Sequence, residues 1–148
     1  MATVSPFPGV TYEAARVRDL GAVTCPPYDV ISDADRDMLY DRDPYNFVRI
    51  STGRTEPDDT DDENRYTRAC GFFRSWLWEG MLHEDEAPAL YVYRQAFHDP
   101  TGTMRRVWGM LVSIGLDDPV LAHEKTMAGP KADRLALMRE IPANLSPI

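Results

Sequence analysis

The chain has 148 residues, 43% of them hydrophobic, with 24 acidic against 16 basic side chains and a net charge of −8. That is enough for one hydrophobic core but not comfortably for two, and the acidic excess disfavours a nucleic-acid groove, which needs clustered cations. No stretch approaches the roughly 20 apolar residues of a membrane span, and the N-terminus has neither the basic nor the apolar region of a signal peptide, so one cytoplasmic domain over 1–148 is expected, with no nucleic-acid or membrane partner.

Pro6-Phe7-Pro8-Gly9-Val10 suits an extended opening, and Val17 to Thr24 reads as a second strand leading into Cys25-Pro26-Pro27-Tyr28-Asp29-Val30-Ile31-Ser32. Two prolines fix φ near −65° there and bias the preceding residues toward extended backbone, so Tyr28 and Asp29 are presented at a set angle. Asp29 can act as a general base or hold a cation, or it can be an ordinary turn residue bonded to local amides. Cys25 and Cys70 sit in apolar contexts without metal-ligand spacing and read as buried free thiols.

Ser32 caps a helix that carries Asp33 and Asp35 in its first turn and ends at Asp43-Pro44. Asn46 to Ile50 then reads as a short strand, with Asn46 more suited to capping backbone than to binding a ligand. The segment 51–62, with Asp58, Asp59, Asp61 and Asp62, is expected to be a mobile, solvated acidic loop. From Glu63 to Glu79, Tyr66, Ala69, Cys70, Phe73, Trp76 and Leu77 recur at spacings of three and four, which predicts an amphipathic helix ended by Gly80. Its aromatics read as core, because helical aromatic stripes usually pack against a sheet.

Leu90 to Phe97 alternates, Asp99-Pro100-Thr101-Gly102 turns, and Met104 to Leu116 returns, the strongest hairpin signal in the chain. The expected class is therefore α+β: a mixed, largely antiparallel sheet that receives the hairpin and the 47–50 strand, packed against two or three helices. After Val120-Leu121-Ala122 come His123-Glu124-Lys125-Thr126, a Gly129-Pro130 break, and a helix from near Lys131 to Pro142. The chain closes on Asn144-Leu145-Ser146-Pro147-Ile148 without a polar tail, which predicts an incomplete domain with an exposed sheet edge open to self-association.

His123 and Glu124 can reach one ligand from a loop, but the zinc-protease spacing would need a histidine where Met127 stands, so no metal site is expected. Thr126, Lys131 and the amides near Lys131 suit a phosphate or carboxylate, with a capped helix bearing surface ion pairs as the competing reading. There is no glycine-rich phosphate loop and no Gly-x-Ser-x-Gly elbow.

The chain resembles the bacterial and archaeal family called domain of unknown function 1015. The resemblance runs through Pro6-Phe7-Pro8-Gly9, Pro26 to Ser32, Pro44-Tyr45-Asn46-Phe47-Val48-Arg49, Trp76 to Leu82, Ala89 to Tyr93, His123 to Thr126, Lys131-Ala132-Asp133-Arg134 and Ala143 to Ile148. Thr11 stands where the family is expected to carry Arg after the Gly-Val pair. Family members are longer, and their second half resembles the ParB and sulfiredoxin superfamily, which includes nucleotide-dependent free serine kinases, at an Asp-Gly-His-His-Arg motif that this chain stops before. The resemblance implies the N-terminal half of a small-molecule phosphotransferase in serine metabolism, with ATP or ADP and Mg²⁺ as cofactors and a small amino acid or nucleotide as partner. In that reading Asp29 or Glu124 is the base or cation ligand, and Tyr28, His123, Thr126, Lys131 and Arg134 lie against substrate or phosphate. The alternative is a non-catalytic ligand-binding or regulatory module, or a truncated inactive fragment.

Overall fold

The computed structural model describes residues 2–121 and 128–145. In chain order it contains β1 (Val4–Ser5), β2 (Val10–Tyr12), α1 (Leu20–Val23), a 3-10 turn at Tyr28–Val30, α2 (Asp33–Arg42), α3 (Val48–Ser51), α4 (Arg65–Trp78), β3 (Leu82–Glu84), β4 (Tyr91–His98), β5 (Met104–Leu111), β6 (Ser113–Ile114) and α5 (Ala128–Glu140). The class is α+β. Among the described residues the strands form three two-stranded sheets, β1 with β6, β2 with β3 and β4 with β5. No helix is long and apolar enough to cross a membrane.

The chain divides into two compact units, Met1–Val10 with Glu84–Glu124, and Thr11–His83 with Lys125–Ile148. In the first, β4 and β5 pair antiparallel without a bulge from Tyr91↔Leu111 to His98↔Met104. The expected turn closes the hairpin: the Asp99 carboxylate accepts from the Thr101 and Thr103 amides at 3.0 Å each, and Gly102 takes the positive φ of 80° that a side chain would resist. Tyr93 lies over Gly109 so closely that a Cβ there would stand 2.1 Å from its ring. The Pro-Phe-Pro-Gly opening is likewise structural. Phe7 bridges Ala89, its ring lies 5.0 Å from that of Tyr91, and the Gly9 amide donates to the Tyr91 hydroxyl at 2.6 Å.

The second unit is built on α4. Asn64 caps it by accepting from the Tyr66 and Thr67 amides while Thr67 reaches back to the Asn64 amide, and Gly80, at φ 69°, ends it. Ala69, Cys70 and Trp76 point inward, joining Ile50, Leu82, Leu137 and Ile141 in the core. Trp76 is ringed by Tyr12, Tyr45 and Phe72 at centroid distances of 6.3, 5.6 and 6.1 Å, so the aromatic stripe is core as expected. Helix α2 carries the predicted Ser32 cap, completed into a capping box by Asp35.

Two expected strands are helical instead. Residues 46–50 were expected to extend, but the Asn46 carbonyl oxygen of the side chain accepts from the Val48 amide at 3.0 Å and starts the turn of α3. Within 17–24, Asp19 accepts from the Gly21 amide at 2.8 Å and starts α1. In both cases a short polar side chain offers the backbone a local partner, which outweighs the β-branched pattern. Consequently β4 and β5 gain no partner from 47–50. Helix α5 already includes Ala128, Gly129 and Pro130, ahead of the expected Lys131, so the expected Gly129-Pro130 break is helical.

Candidate anion site

Arg134 is the centre of the candidate site. It sits on α5 one turn after Lys131, and the burial of Leu137 and Ile141 fixes that helix against the core. Its guanidinium carbon lies 4.0 Å from the centroid of the Tyr28 ring, a cation–π contact. Its Nη2 donates to the Ser51 carbonyl at 2.7 Å, and its Nε and Nη2 donate to Asp133 Oδ2 at 2.9 and 2.5 Å. The other oxygen of Asp133 accepts from the Tyr66 hydroxyl at 2.8 Å and from Arg65 Nη2. Arg65 is the first residue of α4, so the same asparagine cap that starts this helix places a second guanidinium at the site.

The electrostatics follow from these contacts. Burial pushes the Asp133 carboxyl up, but hydrogen bonds from Arg134 and Tyr66 and the charges of Arg134 and Arg65 outweigh it and hold Asp133 below the ordinary carboxylate value. Ser51, Thr52, Gly53, Arg65, Tyr66, Asp133 and Arg134 line a narrow crevice closed below by Ile50 and Leu137. Cys25 borders it, with its sulfur 3.9 Å from Ser51 Oγ. Burial pushes that thiol up against the lowering contact from Ser51, which leaves it less reactive than an exposed cysteine. Both cysteines are free.

Among residues singled out from the sequence, Tyr28 and Arg134 are brought into direct contact. Asp29 lies on the exposed side of the same 3-10 turn, and Lys131 is exposed on α5. His123, Glu124 and Thr126 lie outside the described residues. Asn46 serves the backbone as expected: it is fully buried, and its amide nitrogen donates to the Ala22 and Thr24 carbonyls at 2.7 and 3.1 Å. Thr11 Oγ1 stands 3.3 Å from His83 Nε2. No group of three His, Cys, Asp or Glu side chains among the described residues is placed to hold a metal.

A family described as "Protein of unknown function (DUF1015)" matches residues 4–148. The chain belongs to the DUF1015 family. No curated protein and no solved structure matches it significantly. In this DUF1015 chain the Pro26 to Ser32 and Lys131 to Arg134 blocks, distant in sequence, meet through Tyr28 and Arg134. Sequence reasoning missed Arg65, Tyr66 and Ser51. Arg65 reads as an ordinary helix-start residue, and Ser51 contributes only its carbonyl to Arg134, so nothing in residue type or spacing marks either one.

Proposed function

We propose that this chain is the N-terminal half of a small-molecule phosphotransferase of the nucleotide-dependent free serine kinase type, and that Arg134, Tyr28 and Lys131 form its anion-holding side. The observation that carries this reading is the Tyr28–Arg134 contact, with Asp29 exposed beside it on a rigid turn. A cation held against an aromatic face keeps a fixed direction, which is what positioning a phosphoryl or carboxylate group requires. Asp29 is the carboxylate suited to accept the hydroxyl proton of an amino-acid substrate. Mg²⁺, which binds through one or two carboxylates plus substrate phosphates, would find its protein ligand there as well. Two free cysteines suit a cytoplasmic setting.

The test is thermal unfolding against ATP, ADP, Mg²⁺, serine and phosphoserine, because selective binding to the native state raises apparent stability. A shift with nucleotide or amino acid supports the reading, and Asp29→Asn and Glu124→Gln in a full-length parent should then abolish turnover while leaving the unfolding transition intact. Unchanged turnover in both variants removes these carboxylates from the mechanism. A second reading, a non-catalytic regulatory module, is favoured by one observation: Asp133 already engages both guanidinia of the crevice. Absence of any ligand-induced shift would favour it.

A further inference from the structure

We infer that Arg65, Tyr66 and Arg134 form an oxyanion site for a phosphate or carboxylate group of a small ligand, with Asp133 as the internal group that occupies it in the ligand-free protein. This rests on the reading that Arg134 faces an anionic ligand. Two guanidinia and a phenol hydroxyl, delivered by two different helices, converge on one carboxylate. Their donors are spread over both oxygens, which is the arrangement that recognises planar or tetrahedral oxyanions through paired N–H donors. Here two cations face Asp133, and exposed Lys131 follows one helical turn before Arg134, in a chain whose net charge is −8.

Arg134 Nη1 supplies a second, independent observation. It is shielded from solvent and has no hydrogen-bond partner among the described residues. Buried donors are nearly always satisfied, and those that are not call for an explanation. An oxyanion seated between Arg65 and Arg134 would engage that donor, and the Ser51 and Thr52 hydroxyls, 3.3 Å apart on the crevice wall, offer further hydrogen bonds. Binding is then an exchange: the ligand oxyanion takes guanidinium donors from Asp133, whose carboxylate turns to solvent. No covalent step is involved.

The exchange fixes the direction of each substitution. Titration calorimetry of the whole chain at low salt, with inorganic phosphate and separately with acetate, should show weak binding to wild type. Removing the competing charge in Asp133→Asn should tighten it about tenfold or more, the scale of one charge-assisted hydrogen bond. Arg65→Gln should weaken it by a similar factor, while Arg65→Lys, which keeps the charge and a partner for Asp133, should recover part of it. Preference for phosphate identifies a phosphorylated ligand, and preference for acetate a carboxylate. Weaker phosphate binding by Asp133→Asn would overturn the exchange. Equal binding by wild type and Arg65→Gln, in variants that still unfold cooperatively, would overturn the role of Arg65 but leave the Proposed function standing if nucleotide still shifts the unfolding transition. No binding of either anion to wild type, despite a nucleotide shift, would overturn the inference alone, whereas absence of both signals would overturn the two together.

Discussion

Asn46 shows how much one side chain can settle. It is completely buried, donates to two carbonyls of the 22–24 segment and accepts from the Val48 amide, so it ties α1 to α3 and sets the start of α3. Asn46→Ala would leave the buried Val48 amide and two part-buried carbonyls without this partner. Each such group costs about 1–3 kcal/mol, so a loss of roughly 2–4 kcal/mol in chemical denaturation is expected. A loss below about 0.5 kcal/mol, the range of neutral surface changes, would contradict this role. Tyr12 is a second such residue: its hydroxyl donates to the Tyr45 carbonyl at 2.7 Å, and burial, with smaller contributions from the nearby Cys25 and Asp43, raises its pKa well above the ordinary tyrosine value. A group with a raised native pKa contributes stability that is complete below its unfolded value, about 10, and is lost as pH rises through the native one. Stability should therefore fall above about pH 10, and Tyr12→Phe should flatten that fall in denaturation curves measured along an alkaline series. An unchanged alkaline slope in the variant would assign it to other groups.

Helix α4 carries the core, and the sequence announced it clearly because spacing and stop agree. The aromatic and small residues follow a helical period, Asn64 and Thr67 form a reciprocal cap, and Gly80 supplies the left-handed residue that ends it. Replacing Trp76 by Ala should cost about 3–5 kcal/mol, the range for emptying a large aromatic site, whereas Trp78→Ala, with Trp78 92% exposed, should change stability by less than about 0.5 kcal/mol. Thermal or denaturant unfolding of the pair gives the comparison, and similar losses in both would reject this assignment of the two faces. The short elements were harder to read. Segments 17–24 and 46–50 carry strand-forming residues, yet each becomes a single helical turn because Asp19 and Asn46 bond to amides two residues ahead. A propensity averaged over five to eight residues is small beside one satisfied local hydrogen bond.

At the scale of the whole molecule, acid sensitivity follows from carboxylates held in their charged form. Hydrogen bonds from Thr101, Arg105 and Thr103 hold Asp99 down to about 2, and Asp133 also lies below its ordinary value. For groups with depressed native pKa values the stability is present above the unfolded value, about 3.9, and is lost as pH falls through the native ones. Unfolding midpoints should therefore hold steady above about pH 4 and decline toward pH 2, the Asp99 value. Asp133→Asn should remove part of that decline, and an identical acid profile in the variant would show that Asp133 is not a contributor. The β4–β5 ribbon bears on assembly. Val92 and Trp108 are each 66% exposed and Met110 54%, and the outer edges of the ribbon pair with no other described strand. An isolated hairpin is marginal in water, and an open apolar edge invites pairing. Self-association is expected in light scattering over a concentration series, and a monodisperse monomer throughout would count against it.

Composition and local pattern were enough to determine the α+β class, the capped helix α2, the amphipathic helix α4 with its Gly80 stop, the hairpin with its Asp99 turn, and the local backbone capping by Asn46. Each depends on a repeat or a cap that acts within a few residues. Tertiary structure alone decided that the first residue of α4 and the Tyr28 turn would meet on Arg134 and Asp133. An ion pair or a stacked ring between distant segments leaves no period in the sequence. Only the burial of Leu137 against the α4 core, which fixes where α5 lies, brings those side chains within hydrogen-bond reach.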